Sequence, residues 1–66
     1  MSNVKIDYTN WRQERRTRVI RPISIRYGQS QWHTETQWLL SAIDVEDNKV
    51  KEFAMKDIHS WSRADE

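Results

Sequence analysis

The 66-residue sequence contains no cysteine, one glycine, one proline and no long hydrophobic run. No disulfide can form without cysteine, and a structural zinc is not expected with only His33 and His59 as imidazole ligands. The single glycine, Gly28, excludes the glycine-rich loops that cradle phosphates. No apolar stretch approaches the roughly 20 residues that span a bilayer, and the N-terminus lacks the apolar run of a secretory signal. We therefore expect a cytoplasmic protein that uses neither a metal nor a cofactor.

Aromatic residues compensate for the small size. A chain of this length makes at most one domain, taken as residues 1–66, and buries only about 60 % of the surface that it exposes when unfolded. Four tryptophans are many for 66 residues, and each can bury roughly 150–250 Å². They are Trp11, Trp32, Trp38 and Trp61.

The charges are divided unevenly along the chain. The net charge is only +1, but residues 1–33 carry seven basic and two acidic side chains, whereas residues 34–66 carry four basic and eight acidic ones. The first half is therefore at +5 and the second at −4. Such asymmetry predicts a surface that attracts anions beside one that keeps the protein in solution.

The hydrophobic pattern predicts short β-strands. Residues 4–8 alternate apolar and polar, and residues 15–25 are strand-like, with Pro22 requiring an edge position or a bulge. Residues 36–45 are apolar on both faces, which predicts a central strand with Trp38 in the core. Residues 46–49 predict a hairpin turn, and residues 50–55 predict the returning strand.

The remaining segments predict turns and one helical turn. Residues 9–14 and 26–31 are expected to be a turn and a loop. Met55, Ile58 and Trp61 are spaced by three, which fits one helical turn docked on the core. Residues 62–66 are expected to be a disordered tail. Together these features predict a mainly β fold, a small barrel of four to five short strands with one helical turn near the C-terminus.

Four segments of the chain, between Ile6 and Trp61, together resemble the WYL domain. They are Ile6-Asp7-Tyr8, Arg18-Val19-Ile20-Arg21-Pro22, Trp38-Leu39-Leu40 with Ala42 and Asp44, and Phe53 with Met55 and Ile58. The resemblance implies an SH3-like (Sm-like) barrel that binds nucleic acids or nucleotide-like effectors through basic residues, in bacterial regulators and defence proteins. This copy would stand alone, without the helix-turn-helix that usually precedes the domain. The chain departs from the family pattern at Leu39, Lys51 and Asp57.

Arginines are the main candidates for contact with an anion, because their planar fork of donors suits phosphate. We predict ligand or phosphate binding by Arg16, Arg18, Arg21 and Lys51, and base stacking or an interface at Trp11, Tyr27 and Trp32. On a strand, Arg16 and Arg18 point to one face, whereas Arg15 and Arg21 point to the other. The six arginines between residues 12 and 26 therefore cannot form a single patch. The competing interpretation is a solvated strand whose arginines pair with the acids of the C-terminal half.

No catalytic residue is predicted, because Ser30, His33 and Asp44 have no turn or glycine framework that would align them for catalysis. The leading hypothesis is a non-catalytic, regulatory or defence-related module for a nucleotide, a nucleotide-derived signal or single-stranded nucleic acid, in bacteria or a phage. The alternative is a small protein-interaction or oligomerising adaptor that uses Trp11 and Trp32. Salt distinguishes them, since phosphate binding weakens sharply with salt and an apolar interface does not.

Overall fold

The computed structural model describes residues 3–31 and 33–64 and shows a mainly β fold, as the sequence predicts. A single 3₁₀ turn precedes the last strand. The elements are β1 (Val4–Thr9), β2 (Arg15–Gly28), β3 (Gln37–Asp44), β4 (Lys49–Ala54), the 3₁₀ turn (Met55–Asp57) and β5 (Ile58–Arg63).

The five strands form one antiparallel sheet in the order β4-β3-β2-β1-β5. The first four strands follow one another as hairpins, whereas β5 returns across the fold to pair with β1. The backbone N–H of Ala54, at the end of the edge strand β4, donates to the Tyr8 hydroxyl on β1 at 3.1 Å. This contact joins one edge of the sheet to the strand next to its other edge, which gives the fold its small, barrel-like form.

The core is built by alternate residues from one face of the bent sheet. Its buried side chains come from four strands and are Ile6, Tyr8, Ile20, Leu40, Ala42 and Phe53. The rings of Tyr8 and Phe53 meet edge to face with centroids 5.0 Å apart, which is a favoured arrangement for two aromatic rings. Tyr8 belongs to a strand whose period-two pattern the sequence shows clearly, and Phe53 belongs to the predicted returning strand, so both strands lie where the sequence predicts them.

A β-bulge at Pro22 divides the long strand β2. Pro22 pairs with Ala42, Ser24 pairs with Ser41, and Ile23 between them is the extra residue. The bulge lets a proline sit in a central strand, because the ladder is interrupted at that point. The strand then continues through Gly28, so residues 26–28 are β-structure and not the loop that the sequence predicts.

The prediction that Trp38 lies in the core is wrong, because 53 % of its surface is exposed. It stands near the start of β3, directly opposite Tyr27, and their ring centroids are 5.2 Å apart. The neighbouring Leu39 is the fully buried residue at this point. Cross-strand aromatic contact therefore holds the indole at the surface, where its large ring has a partner without entering the core.

The C-terminal segment also differs from expectation. The helical turn is only three residues long, and Trp61 lies in β5 opposite Ile6, about half exposed, rather than packing on that turn. Ser62 and Arg63, predicted as the start of a disordered tail, continue β5, because their backbones pair with β1. Residues 65 and 66 of the predicted tail lie outside the described residues.

Within the described parts of the chain, none of the helical structure is long and apolar enough to cross a membrane.

Candidate functional site

The principal cavity lies between the edge of β4 and the β1–β2 hairpin, and we call it the edge cavity. Its volume is about 630 Å³, which falls within the range of small-molecule sites. One wall contains Tyr8 and Arg18, and the other is formed by four consecutive residues of β4, from Val50 to Phe53. Because successive strand residues point to opposite faces, a wall of four consecutive residues means that the cavity follows the strand edge itself.

A buried carboxylate organises the cations of this cavity. Asp44, at the end of β3, is only 1 % exposed, and its Oδ2 accepts from Arg18 Nη1 at 3.0 Å and from Lys51 Nζ at 3.1 Å. Its Oδ1 accepts from the backbone N–H of Glu46 at 3.0 Å, which fixes the carboxylate against the hairpin turn. We call Arg18, Asp44 and Lys51 the Asp44 cluster. A buried charge is tolerated only when it is paired and hydrogen-bonded in this way.

The two cations of the cluster remain within reach of the cavity. The Arg18 side chain is 17 % exposed and that of Lys51 is 32 % exposed. Lys51 also bonds Asp47 at 2.8 Å. Burial disfavours its ammonium form, but the hydrogen bonds that Lys51 donates to Asp47 and Asp44 outweigh this and raise the pKa of Lys51. The same contact with Lys51 lowers the pKa of Asp47. Both groups are therefore charged at neutral pH.

A second ion pair stands at the cavity rim. Arg26 on β2 donates from Nε and Nη2 to the Glu52 carboxylate on β4 at 2.7 and 3.0 Å, so the pair crosses over β3. The second nitrogen also reaches the Gln29 carbonyl at 2.9 Å. This bidentate geometry holds both side chains in place. The cavity wall thus contains three cations, Arg18, Arg26 and Lys51, against the single carboxylate of Glu52.

Aromatic residues complete the cavity. Tyr8 is buried, its hydroxyl accepts from Ala54, and burial raises its pKa. Trp11, in the β1–β2 turn, is about half exposed and also lines the cavity. The guanidinium of Arg12 lies 5.0 Å from the centre of the Trp11 ring, a cation–π distance. The Trp11 indole and the two cations of the Asp44 cluster therefore line the same cavity.

Three of the seven predicted binding residues meet at this cavity, namely Arg18, Lys51 and Trp11. Arg16 lies two residues before Arg18 on the same face but is not part of the cavity wall, and Arg21 is opposite Ile43 on the other face. Tyr27 lies apart, with Trp38, in a second groove of about 530 Å³. The predicted role of Trp32 lies outside the described residues.

The competing interpretation of the arginines also describes part of the structure. Arg18 and Arg26 pair with acids of the C-terminal half, while Arg15 pairs with Asp7 of its own half at 2.8 Å. The same contact from Arg15 lowers the pKa of Asp7. Three of the six arginines are therefore in separate ion pairs, and the arginines do not form one patch.

Sequence reasoning missed the organising role of Asp44 and the pair Arg26–Glu52. The available signal for Asp44 is a charged residue at the end of an otherwise apolar strand, just before the turn, because such a residue needs partners on neighbouring strands. Nothing in the sequence pattern links Arg26 to Glu52, since the pair depends on the register across three strands.

Comparison of the chain with protein-family models, with curated proteins and with solved structures gave no match. Within residues 3–31 and 33–64, no group of three or more His, Cys, Asp or Glu side chains could hold a metal ion. The chemistry of the site is therefore judged from the residues of the cavity themselves.

Proposed function

We propose that the protein is a non-catalytic, WYL-like binding module of the cytoplasm that holds an anionic ligand in the edge cavity. The ligand is a nucleotide, a nucleotide-derived signal or single-stranded nucleic acid, and the role is regulatory or defence-related. The observation that carries this proposal is the Asp44 cluster, which holds two cations in fixed positions beside an exposed indole. Preorganised donors beside an aromatic ring suit a phosphate attached to a base.

Arg18 is the principal phosphate contact in this proposal. A guanidinium has five N–H donors, and among the described residues Arg18 gives one hydrogen bond, to Asp44. Its remaining donors suit ligand oxygens. Asp44 acts as a positioning residue, because it touches the cations rather than the ligand. Lys51 supplies a second charge from the opposite wall, and Trp11 offers a ring face to a base.

The carboxylates limit how strongly the cavity attracts anions. Asp44 and Asp47 together balance the charges of Arg18 and Lys51, and Glu52 balances Arg26. Binding therefore depends on oriented hydrogen bonds as well as on net charge, and we expect a ligand with few phosphates in the cavity. With about two phosphates contacted, affinity for a single strand falls with salt at a logarithmic slope of about −1.4.

The test is a fluorescence titration of the tryptophans with mixed-sequence single-stranded RNA and with AMP, at low and moderate salt. We expect quenching that weakens with salt. Arg18→Ala should lower the affinity about tenfold or more, since hydrogen bonds to charged groups are the strong ones. Arg15→Ala is the matched control. Arg15 lies on the same strand as Arg18, but it pairs with Asp7 away from the cavity. This substitution should change the affinity less than about twofold.

Equal effects of the two substitutions would contradict the assignment of Arg18, provided that circular dichroism shows both variants folded. Absence of quenching at either salt, confirmed by equilibrium dialysis with labelled RNA and labelled AMP, would contradict the proposed ligand class.

Self-association is the second candidate function, and the exposed aromatic pair favours it. Ile25, Tyr27 and Trp38 all expose more than half of their surface on the same part of the sheet. Large apolar residues of this kind are enriched where two chains meet. Sedimentation velocity over a hundredfold concentration range tests it. A concentration-dependent dimer that Trp38→Ser abolishes would support this role, and a monomer throughout would exclude it.

A further inference from the structure

The strand β4 has one unpaired edge. In the sheet of the described residues, β3 is its only neighbour. In an antiparallel ladder, the N–H and C=O of successive residues point alternately toward the partner strand and away from it. The N–H of Ala54 points away from β3, because it donates to the Tyr8 hydroxyl. The β3–β4 register has no irregularity, so Glu52 and Val50 point away as well.

The hairpin that joins β3 to β4 independently indicates the same outward orientation of Val50 and Glu52. The Asp44 carbonyl accepts from the N–H of Asn48 at 2.7 Å, so it points toward β4. Asp44 therefore belongs to a hydrogen-bonded pair with its partner Lys49. Two residues later Lys51 is again bonded to β3, which leaves Val50 and Glu52 as the outward residues.

Val50 and Glu52 both belong to the wall of the edge cavity, and their outward backbone groups lie on the side of β4 that faces away from β3. The next outward N–H, of Ala54, is already occupied by Tyr8. The open edge is thus only two residues long, about 7 Å, which is short for an added peptide strand. Its two central groups, the Val50 carbonyl and the Glu52 N–H, form a neighbouring acceptor and donor.

We infer that the open edge of β4 recognises the base of a nucleotide in the edge cavity through the Val50 carbonyl and the Glu52 N–H. This inference rests on the proposed function and states how the same site selects its ligand. Nucleobases carry a donor beside an acceptor; adenine, for example, has its amino group next to ring nitrogens. The amino group donates to the Val50 carbonyl and a ring nitrogen accepts from the Glu52 N–H. The phosphate is directed to Arg18 and Lys51.

The experiment compares AMP with ribose 5-phosphate by isothermal titration calorimetry on three proteins: wild type, Glu52→Ala and Glu52→Pro. Both substitutions remove the carboxylate that pairs with Arg26, but only proline removes the backbone N–H. Proline is tolerated at an edge position whose N–H makes no ladder bond. We expect Glu52→Pro to bind AMP about tenfold more weakly than Glu52→Ala, with equal affinities of the two variants for ribose 5-phosphate.

A change in the ligand gives a test that needs no variant. N6,N6-dimethyl-AMP has no amino proton, and we expect the wild-type protein to bind it about tenfold more weakly than AMP. Equal binding of these two ligands would overturn the base recognition, as would equal affinities of Glu52→Ala and folded Glu52→Pro for AMP.

Ribose 5-phosphate separates this inference from the proposed function. If it binds wild type as well as AMP does, the anion site stands and the base recognition is wrong. If neither compound binds, the inference fails, and if labelled single-stranded RNA is not bound either, the proposed function fails with it.

Discussion

The two halves of β2 contain similar side chains and place them differently. Before the bulge, Ile20 is fully buried and Arg18 is held against a buried carboxylate. After it, Ile25 is 55 % exposed and Arg26 makes its ion pair at the surface. β1 pairs with β2 only up to Ile20, so among the described residues no strand pairs with the second half on that side. The burial of an arginine or an isoleucine here is set by the strands beside it and not by the residue type.

The difference separates the two candidate functions in space. Arg18 of the first half lines the edge cavity and Arg26 of the second half stands at its rim, whereas Ile25 and Tyr27 of the second half are exposed beside Trp38. Substitution of Ile25 or Tyr27 should therefore leave the edge cavity intact. Three residues of the covered part of the sheet can each be compared with a residue of similar chemistry near the uncovered part.

The largest difference is expected between Ile20→Ala and Ile25→Ala. Ile20 is completely buried, so its truncation removes apolar contact and leaves a cavity, which should cost about 2–5 kcal/mol of unfolding free energy. Ile25 is largely exposed, and its truncation should cost less than about 1 kcal/mol. Urea unfolding followed by tryptophan fluorescence measures both. Similar losses in the two variants would show that the second half of β2 is covered in solution.

Asp44→Ala should be compared with Glu52→Ala. Removing the Asp44 carboxylate leaves Arg18 and Lys51 without their shared partner at a partly buried position, which should cost about 2–3 kcal/mol. Glu52→Ala removes one acid from a surface pair with Arg26, and its effect on the unfolding midpoint should be clearly smaller. A loss for Glu52→Ala as large as that for Asp44→Ala would mean that the rim pair is also structurally required.

Tyr8→Phe and Tyr27→Phe form the third pair. The Tyr8 hydroxyl accepts the N–H of buried Ala54, so its removal should cost about 1–2 kcal/mol at pH 7. Tyr27 is mostly exposed, and loss of its hydroxyl should have little effect on stability. The folded-state pKa of Tyr8 is raised by burial, so the stability that its neutral form contributes is present below about pH 10 and is lost as the pH rises through the folded-state value.

The penalty of Tyr8→Phe should therefore shrink in urea unfolding experiments between pH 8 and pH 11. A penalty that is independent of pH over that interval would contradict the burial of an ionisable hydroxyl at this position.

Most of the strands could be predicted from the sequence, because their cause is local. The alternation around Ile6 and Tyr8 predicts β1, Pro22 predicts an edge position or a bulge, and residues 46–49 predict a turn. The wrong prediction for Trp38 concerns its burial, because whether a strand face is covered depends on which elements pack above it. The wrong predictions for residues 26–28 and for Trp61 concern the secondary structure itself, because these residues become strands only through pairing with β3 and β1.

The site was predictable in two of its basic residues and in Trp11. Arg18 and Lys51 were identified from residue type and from the family resemblance, and the structure places both at one cavity. The partner that joins them, Asp44, lies 26 residues from Arg18 and seven from Lys51, and the contact exists only once three strands are in register. The outward direction of the Val50 and Glu52 backbone is likewise a property of strand pairing and leaves no mark on residue type.

The hydrogen bond from Ala54 to Tyr8 has a consequence for folding. It joins residues 46 positions apart, whereas the three hairpins need only local closure, so it belongs to the slow, long-range part of the process. The edge cavity exists only after this closure, because β1 and β4 form its opposite walls. The native topology and the edge cavity are therefore formed in the same step. A ligand that binds the cavity should protect the chain from global unfolding, because it binds the folded state and not the unfolded one.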